Sequence, residues 1–181
     1  MNEAYESLLT RRSWRKFVSK PVPEDLIASI VKAGEYAASA RGLQSPLIIK
    51  VSNPQLREKF VQANAAIMGR PEGFDPFYGA PVVLVVLVPA DNPNGVYDGS
   101  LTMGNLMQAA HDLGLGSIWI HRAREEFETE EFKQFLIDVG VEGSWVGVGH
   151  CAIGWPDGPE PKAASRKPGR YIDADKVLGL E

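Results

Sequence analysis

The sequence predicts a layered domain of helices and strands, α+β or α/β. Three observations carry that prediction: apolar residues recur at helical spacing in several segments, short β-branched runs lie between them, and those runs are unequally spaced along the chain. The stretch from Asp98 to Arg122 organises the rest. It reads as a mostly apolar helix (Leu101, Met103, Leu106, Met107, Ala109, Ala110, Leu113), a stop at Gly114, and a β-rich run from Leu115 to His121. A helix apolar on nearly every face is expected to be buried on nearly every side, as the central pillar of the core. Gly114 suits the left-handed residue that closes a helix, and the end of the following strand should emerge beside the core.

The other elements follow in order. Asn2 to Thr10 reads as a short helix, and Glu24 to Ala38 as an amphipathic one with Ile27, Ile30, Val31 and Ala38 on one face and acids in its first turn. Ser39 to Pro46 breaks the pattern before a strand at Leu47 to Val51. Its small and polar residues allow a close ligand approach, or make an ordinary connection. Asn53 is a natural N-cap and Pro54 a natural first-turn residue for a helix reaching about Met68. Gly69 to Gly79, with Phe74, Phe77 and Tyr78, is irregular, either a lid or a packed surface loop. The unbroken run Val82 to Val88 predicts a strand covered on both faces and therefore placed mid-sheet. Thr129 to Val139 is amphipathic and stops near Gly140, and Trp145 to Ile153 is a strand whose Gly147 and Gly149 admit other backbone closely. The stretch 154–181 is rich in Pro, Gly, Lys and Arg. It is an extended tail, unable to bury a core of its own, for which Tyr171 and Ile172 offer anchors on a body.

A chain of 181 residues, 44% hydrophobic, most simply forms one domain over 1–181. A formal charge of −4 argues against a general nucleic-acid binder. A single cysteine, Cys151, excludes an internal disulfide and a cysteine-based zinc site, and its apolar surroundings suit a small buried hydrophobe better than a nucleophile. Residues 1–20 lack the apolar core of a signal peptide and no run approaches a membrane span, so a cytoplasmic protein is expected. No P-loop, no nucleophile elbow and no metal-spaced histidines occur, and Gly147-Val148-Gly149 sits inside a strand rather than at a Rossmann turn. Five cations lie between Arg11 and Lys20. They are either solvated charges offsetting a helix dipole or, with Ser13, an anion site able to make bidentate bonds to phosphate. Backbone-rich loops and scattered arginines are the equipment for holding a cofactor that brings its own chemistry.

Five segments, in order, resemble the FMN-dependent nitroreductase family along nearly the whole chain: Arg11-Arg12-Ser13-Trp14-Arg15, Ser39 to Pro46, Tyr78-Gly79-Ala80-Pro81, Gly114 to Arg122, and Ser165-Arg166-Lys167-Pro168. The resemblance implies an α+β fold with a central mixed sheet flanked by helices, and an intertwined homodimer with FMN at each of two interface sites. It implies that Arg11, Arg12, Ser13 and Arg15 bind phosphate and the flavin pyrimidine edge, with Arg166 and Lys167 joining from the tail. Ser39, Ala40, Arg41, Gly42 and Gln44 would reach the flavin from the partner subunit. Gly116, Trp119, Ile120 and His121 would line it, the backbone of Ile120 and His121 lying near the reactive N5. Gly42 stands where many members carry asparagine, so substrate preference transfers less well. The implied activity is reduction of nitroaromatics, quinones or related acceptors by NAD(P)H in a ping-pong cycle, without nucleic acid or membrane as partner. A flavin-binding storage or regulatory protein without turnover is the alternative.

Overall fold

The computed structural model describes residues 2–180; Met1 and Glu181, the ends of the expected domain, lie outside the described residues. Strands β1 (Leu47–Val51), β2 (Val82–Pro89), β3 (Gly116–Ile120) and β4 (Trp145–Gly154) form one sheet in the order β1-β2-β4-β3. All three neighbouring pairs are antiparallel, and the expected mixed character is confined to one parallel bridge between Ser13 and Ser117 beside β3.

Period-two alternation explains how β2 is buried on both sides. Val83, Val85 and Leu87 face one core with α3 (Pro54–Ile67), α5 (Ala123–Phe127) and α6 (Glu130–Asp138), whereas Val82, Leu84, Val86 and Val88 face the other with α2 (Glu24–Glu35) and α4 (Gly95–Asp112). Each such side chain contributes roughly 1.5–3 kcal/mol when fully buried. On the first face Phe60, Phe127, Phe132 and Phe135 interlock, Phe60 and Phe132 edge to face at 4.9 Å. On the second, Gly34 of α2 lets Leu106 of α4 approach to where a Cβ would leave only 2.6 Å.

Local chemistry sets the boundaries. The Asn53 side chain accepts from the N–H groups of Gln55 and Leu56 at the start of α3, and Gly114 adopts φ 75° just past α4. Gly147 and Gly149 lie where β4 meets other groups closely: a Cβ at Gly147 would strike the Ala123 backbone, and one at Gly149 the Trp119 indole. Beside them the β2–β4 register shifts between Val86 and Leu87, a bulge on β4. The Gly69 to Gly79 segment is a packed loop: Phe77 is fully buried, and Asp75 accepts from the N–H groups of Phe77 and Gly79 and pairs with Arg57.

One expectation fails. Helix α4 is buried on one side only, along Asp98, Thr102, Met103, Leu106 and Ala110, while Val96, Tyr97 and Leu101 are exposed. Apolar content reports that a face wants cover, not which molecule covers it. The tail finds little to lie on within one chain. It packs only as far as Asp157, whose N–H donates to Lys16 O, and beyond that it is almost wholly exposed, Tyr171 by 84% and Ile172 by 72%. Helices α5 and α7 (Ala174–Leu178), both unanticipated, have five residues each, too few to show a period. No described helix is long and apolar enough to cross a membrane.

Replacing Gly147 by Ala should lower unfolding free energy by about 2 kcal/mol or more through overpacking against Ala123. Urea denaturation of the variant checks this, and an unchanged midpoint would contradict the close approach.

Candidate functional site

Helix α1 (Glu3–Thr10) is docked on the C-terminal end of α4 by polar contacts, Ser7 with Gln108 and Asp112, and Thr10 Oγ1 with His111 Nε2 at 3.0 Å. The chain then turns into extended backbone at Arg11 (φ −52°, ψ 132°) and runs beside the outer edge of β3. Ser13 bridges Ser117, the Trp14 N–H donates to Ser117 O at 3.0 Å, and Trp14 packs on Gly116, where no Cβ would fit. Phe17 bridges Pro156 and is buried. The basic segment is thus a rigid strip on the sheet rather than a loose charged loop.

Its arginines divide into three roles. Arg12 turns back, and its Nη1 donates to Leu9 O and Arg11 O at 2.8 Å each, satisfying the C-terminal carbonyls of α1. Arg15 is exposed and pairs with no acid among the described residues. Arg11 is half-buried, and its Nη1 is buried without a hydrogen-bond partner among the described residues. Desolvation lowers its pKa, with the neighbouring Arg12 charge acting in the same direction. A buried guanidinium nitrogen without an acceptor is costly unless something anionic completes it. Cys151, fully buried on β4, is pushed up to about 12 by that burial, with the Arg11 charge opposing, which suits an inert side chain.

Further along β3, Trp119 Nε1 donates to Val148 O at 3.3 Å, and Ile120 O accepts from His150 Nδ1 at 3.1 Å. His121 follows as an exposed residue between buried Ile120 and half-buried Arg122. Ser117 and Ile120 are three residues apart on one strand, ~10 Å, so Arg11, Ser13, Gly116, Trp119, Ile120 and His121 are gathered along one sheet edge.

The remaining expected residues stand elsewhere. Ser39, Ala40, Arg41, Gly42 and Gln44 form a loop around a short 3-10 turn, Ser39 and Ala40 half-buried and the rest exposed, in which Arg41 (φ 53°), Gly42 (φ 67°) and Gln44 (φ 51°) are left-handed. Such non-glycine strain persists where surroundings over-determine it. Here the Ala40 N–H donates to buried Asp98 Oδ1 at 2.8 Å and the Gln44 N–H to Ser39 Oγ at 2.9 Å. A concavity of about 530 Å³ beside this loop is lined by Tyr36, Ser39, Gln44, Pro46 and Thr102. Asp98 lies near the start of α4 and the α1 contacts, at Gln108, His111 and Asp112, near its end, a separation of ~15–21 Å at 1.5 Å per residue. One chain therefore does not bring loop and basic strip together. Among the described residues Arg166, in the exposed tail, bonds only to Ala164 O, and Lys167 is exposed beside it.

Sequence reasoning passed over Asp98, Asn64, Glu126 and His150, all buried. Asp98 resembles any acid in a helix's first turn, and Glu126 sits in a charge-dense segment. Only a histidine within an apolar strand, His150, was a usable signal.

The chain matches the model of the nitroreductase family over residues 8–155. The NADPH-flavin oxidoreductase of Vibrio harveyi is 29% identical over 95% of this chain and 73% of that protein. Other curated relatives are matched over less of their length: 60% for an NADH dehydrogenase/NAD(P)H nitroreductase homologue in Methanothermobacter thermautotrophicus, at 32% identity over 65% of this chain, and 54% for an NADPH-dependent oxidoreductase of Staphylococcus epidermidis. Among solved structures, the FMN-bound nitroreductase of Bacteroides fragilis superposes with a TM-score of 0.85 at 26% identity, covering 96% of this chain and 99% of that one. An iodotyrosine deiodinase bound to FMN and 3-iodo-L-tyrosine shares the fold at a TM-score of 0.70 and 20% identity, over 94% of this chain and 98% of that one. On the strength of the match across most of its length, and of the sheet, helices and N-terminal strip that accompany it, this chain belongs to the nitroreductase family.

Proposed function

We propose that this chain is an FMN-dependent oxidoreductase, working as a cytoplasmic homodimer, that uses NAD(P)H to reduce a small acceptor such as a nitroaromatic or a quinone in a ping-pong cycle. The observation that carries the reading is Arg11, a half-buried cation whose Nη1 lacks an acceptor, on a strip that also presents Ser13 and unpaired Arg15 beside β3. A dianionic phosphate supplies the missing acceptors. FMN, when bound, supplies the capacity to take up and hand on a hydride.

The residues divide the work by position. Arg11 and Ser13 hold the phosphate end, joined by Arg166 and Lys167 from a tail that has no seat on its own chain. Arg15 places positive charge at the pyrimidine edge, where negative charge develops on reduction. Gly116 and Trp119 shape the wall, and the backbone of Ile120 and His121 offers donors at the reactive edge. Arg12, committed to the end of α1, acts by fixing the strip. Ser39, Ala40, Arg41, Gly42 and Gln44 come from the second subunit, consistent with their distance from the strip within one chain, and Gly42 brings no side chain to the pocket. The dimer covers the exposed apolar residues of α4 and the tail. The whole of 1–181 serves as one FMN-binding domain with 154–181 as its extended tail.

Purified protein reconstituted with FMN should be yellow, should bleach with NADPH or NADH under anaerobic conditions, and should recover colour on adding a quinone. Colour that NAD(P)H does not bleach would contradict turnover and point to a storage role. Arg11→Met and Arg166→Ala should each weaken FMN binding by ~1.5–3 kcal/mol, the loss of one charged hydrogen-bonded partner. Fluorescence titration reads this, and unchanged affinity would remove that arginine from the site. His121→Ala should keep FMN and lose less than about 100-fold in the flavin-reduction rate, ~2.7 kcal/mol in the barrier, because backbone rather than imidazole acts there. A larger loss in stopped-flow measurements would assign the side chain a role.

A further inference from the structure

Inside the core beneath the strand end lies a polar chain that the functional reading does not use. Arg122 Nε donates to Asn64 Oδ1 at 2.6 Å, and Asn64 Nδ2 donates to Glu126 Oε1 at 2.9 Å. Glu126 Oε2 lies 2.6 Å from His150 Nε2, and His150 Nδ1 donates to Ile120 O at 3.1 Å. Asn64, Glu126 and His150 are fully buried. The Glu126–His150 approach is close but lacks hydrogen-bond alignment, so it is a polar contact held by its surroundings. Those surroundings are aromatic: Phe77 and Phe60 stand 5.2 and 6.1 Å from the His150 ring, centroid to centroid.

Buried groups of this kind are poor stabilisers, because desolvation offsets much of their attraction, and an apolar replacement of similar shape is often as stable. Their positions give them another use. The chain draws on α3, β4 and α5, with partners 58 residues apart at one end and 30 at the other. The His150 link follows the β3–β4 register, in which Ile120 stands opposite His150, whereas no strand pairing or local turn requires the Asn64 link. Yet both ends arrive at one place: the carbonyl of Ile120 and the side chain of Arg122, the two neighbours of exposed His121.

We propose that Arg122, Asn64, Glu126 and His150 form a clamp of positioning residues that fixes the His121 peptide on both sides. This inference rests on the reading that the peptide faces a bound flavin. The end of a strand is ordinarily free to fray, since its outer backbone groups lack partners. A backbone donor that serves a ligand must instead be held to within a fraction of an ångström. Here the clamp anchors the peptide from below, in a dry environment where a hydrogen bond is less exposed to competition from water, and leaves its outer side open.

The test compares Glu126→Gln, which keeps hydrogen-bonding groups at both positions, with the apolar double variant Glu126→Leu/His150→Phe. Hydrogen exchange by mass spectrometry, without cofactor, reads the peptide spanning residues 118–123. The double variant should exchange there at least ~10-fold faster than the unmodified protein, with β2 unchanged, and should bind FMN at least ~10-fold more weakly with a shifted flavin midpoint potential. Glu126→Gln should stay within about threefold in exchange and affinity. A folded double variant with unaltered exchange, or with faster exchange but unaltered FMN affinity and potential, overturns the clamp. If the double variant does not fold, Arg122→Met decides from the half-buried end: faster local exchange and weaker FMN binding are expected, and neither changing overturns the proposal. An unmodified protein that takes up no FMN would defeat the functional reading instead, leaving exchange alone to decide whether the peptide is clamped.

Discussion

Covering a sheet on both faces is the constraint from which the rest of this molecule follows. Val82 to Val88 on β2 are buried on both faces, as are Val148, Cys151, Ala152 and Ile153 on β4, so neither inner strand can present chemistry to solvent. What remains is the outer strand β3, its free edge and its end. The N-terminal strip lies against that edge through Ser13 and Trp14, and the strand ends at Ile120 beside exposed His121. Gly147 and Gly149 serve the same constraint from the other side, since only their missing side chains let α5 and the Trp119 indole close over β4. At the end of β3, this architecture therefore presents backbone beside exposed His121, while the strip presents the side chains of Arg11 and Ser13.

On the proposed reading, the same geometry leaves one chain short of a whole site. The loop from Ser39 to Gln44 is tied to α4 at Asp98, the strip to its far end through Ser7 and Thr10, and the tail beyond Asp157 finds no surface of its own. Exposed Val96, Tyr97 and Leu101, with Tyr171 and Ile172, are apolar surface of the kind that associates. In the proposed dimer these features account for one another: the tail gains a body, α4 gains its second cover, and the loop gains a flavin. The proposal leaves its acceptor less constrained, because a fold alone does not decide a reaction, and an iodotyrosine deiodinase shares this one.

Much of this was legible in the residues. The β-branched run of β2, the Asn53-Pro54 start of α3, Gly114 and the paired glycines of β4 each encode a local requirement that only one structure satisfies. The basic strip was legible as charge, but not its division of labour. Arg12 capping α1 and Arg11 buried without an acceptor arise from the turn at Arg11, which composition does not record. Nor could periodicity tell a core face of α4 from a face awaiting a partner. Asn64 and Glu126 were invisible because a buried amide or acid has the same letter as a solvated one, and only the fold shows that both are fully buried.

That two copies complete the site is the central claim, and native mass spectrometry of the FMN-loaded protein, with sedimentation velocity at matching concentrations, addresses it directly. A dimer carrying two FMN, losing cofactor as it dissociates, is the predicted result. A monomer that retains one FMN at undiminished affinity would contradict the account.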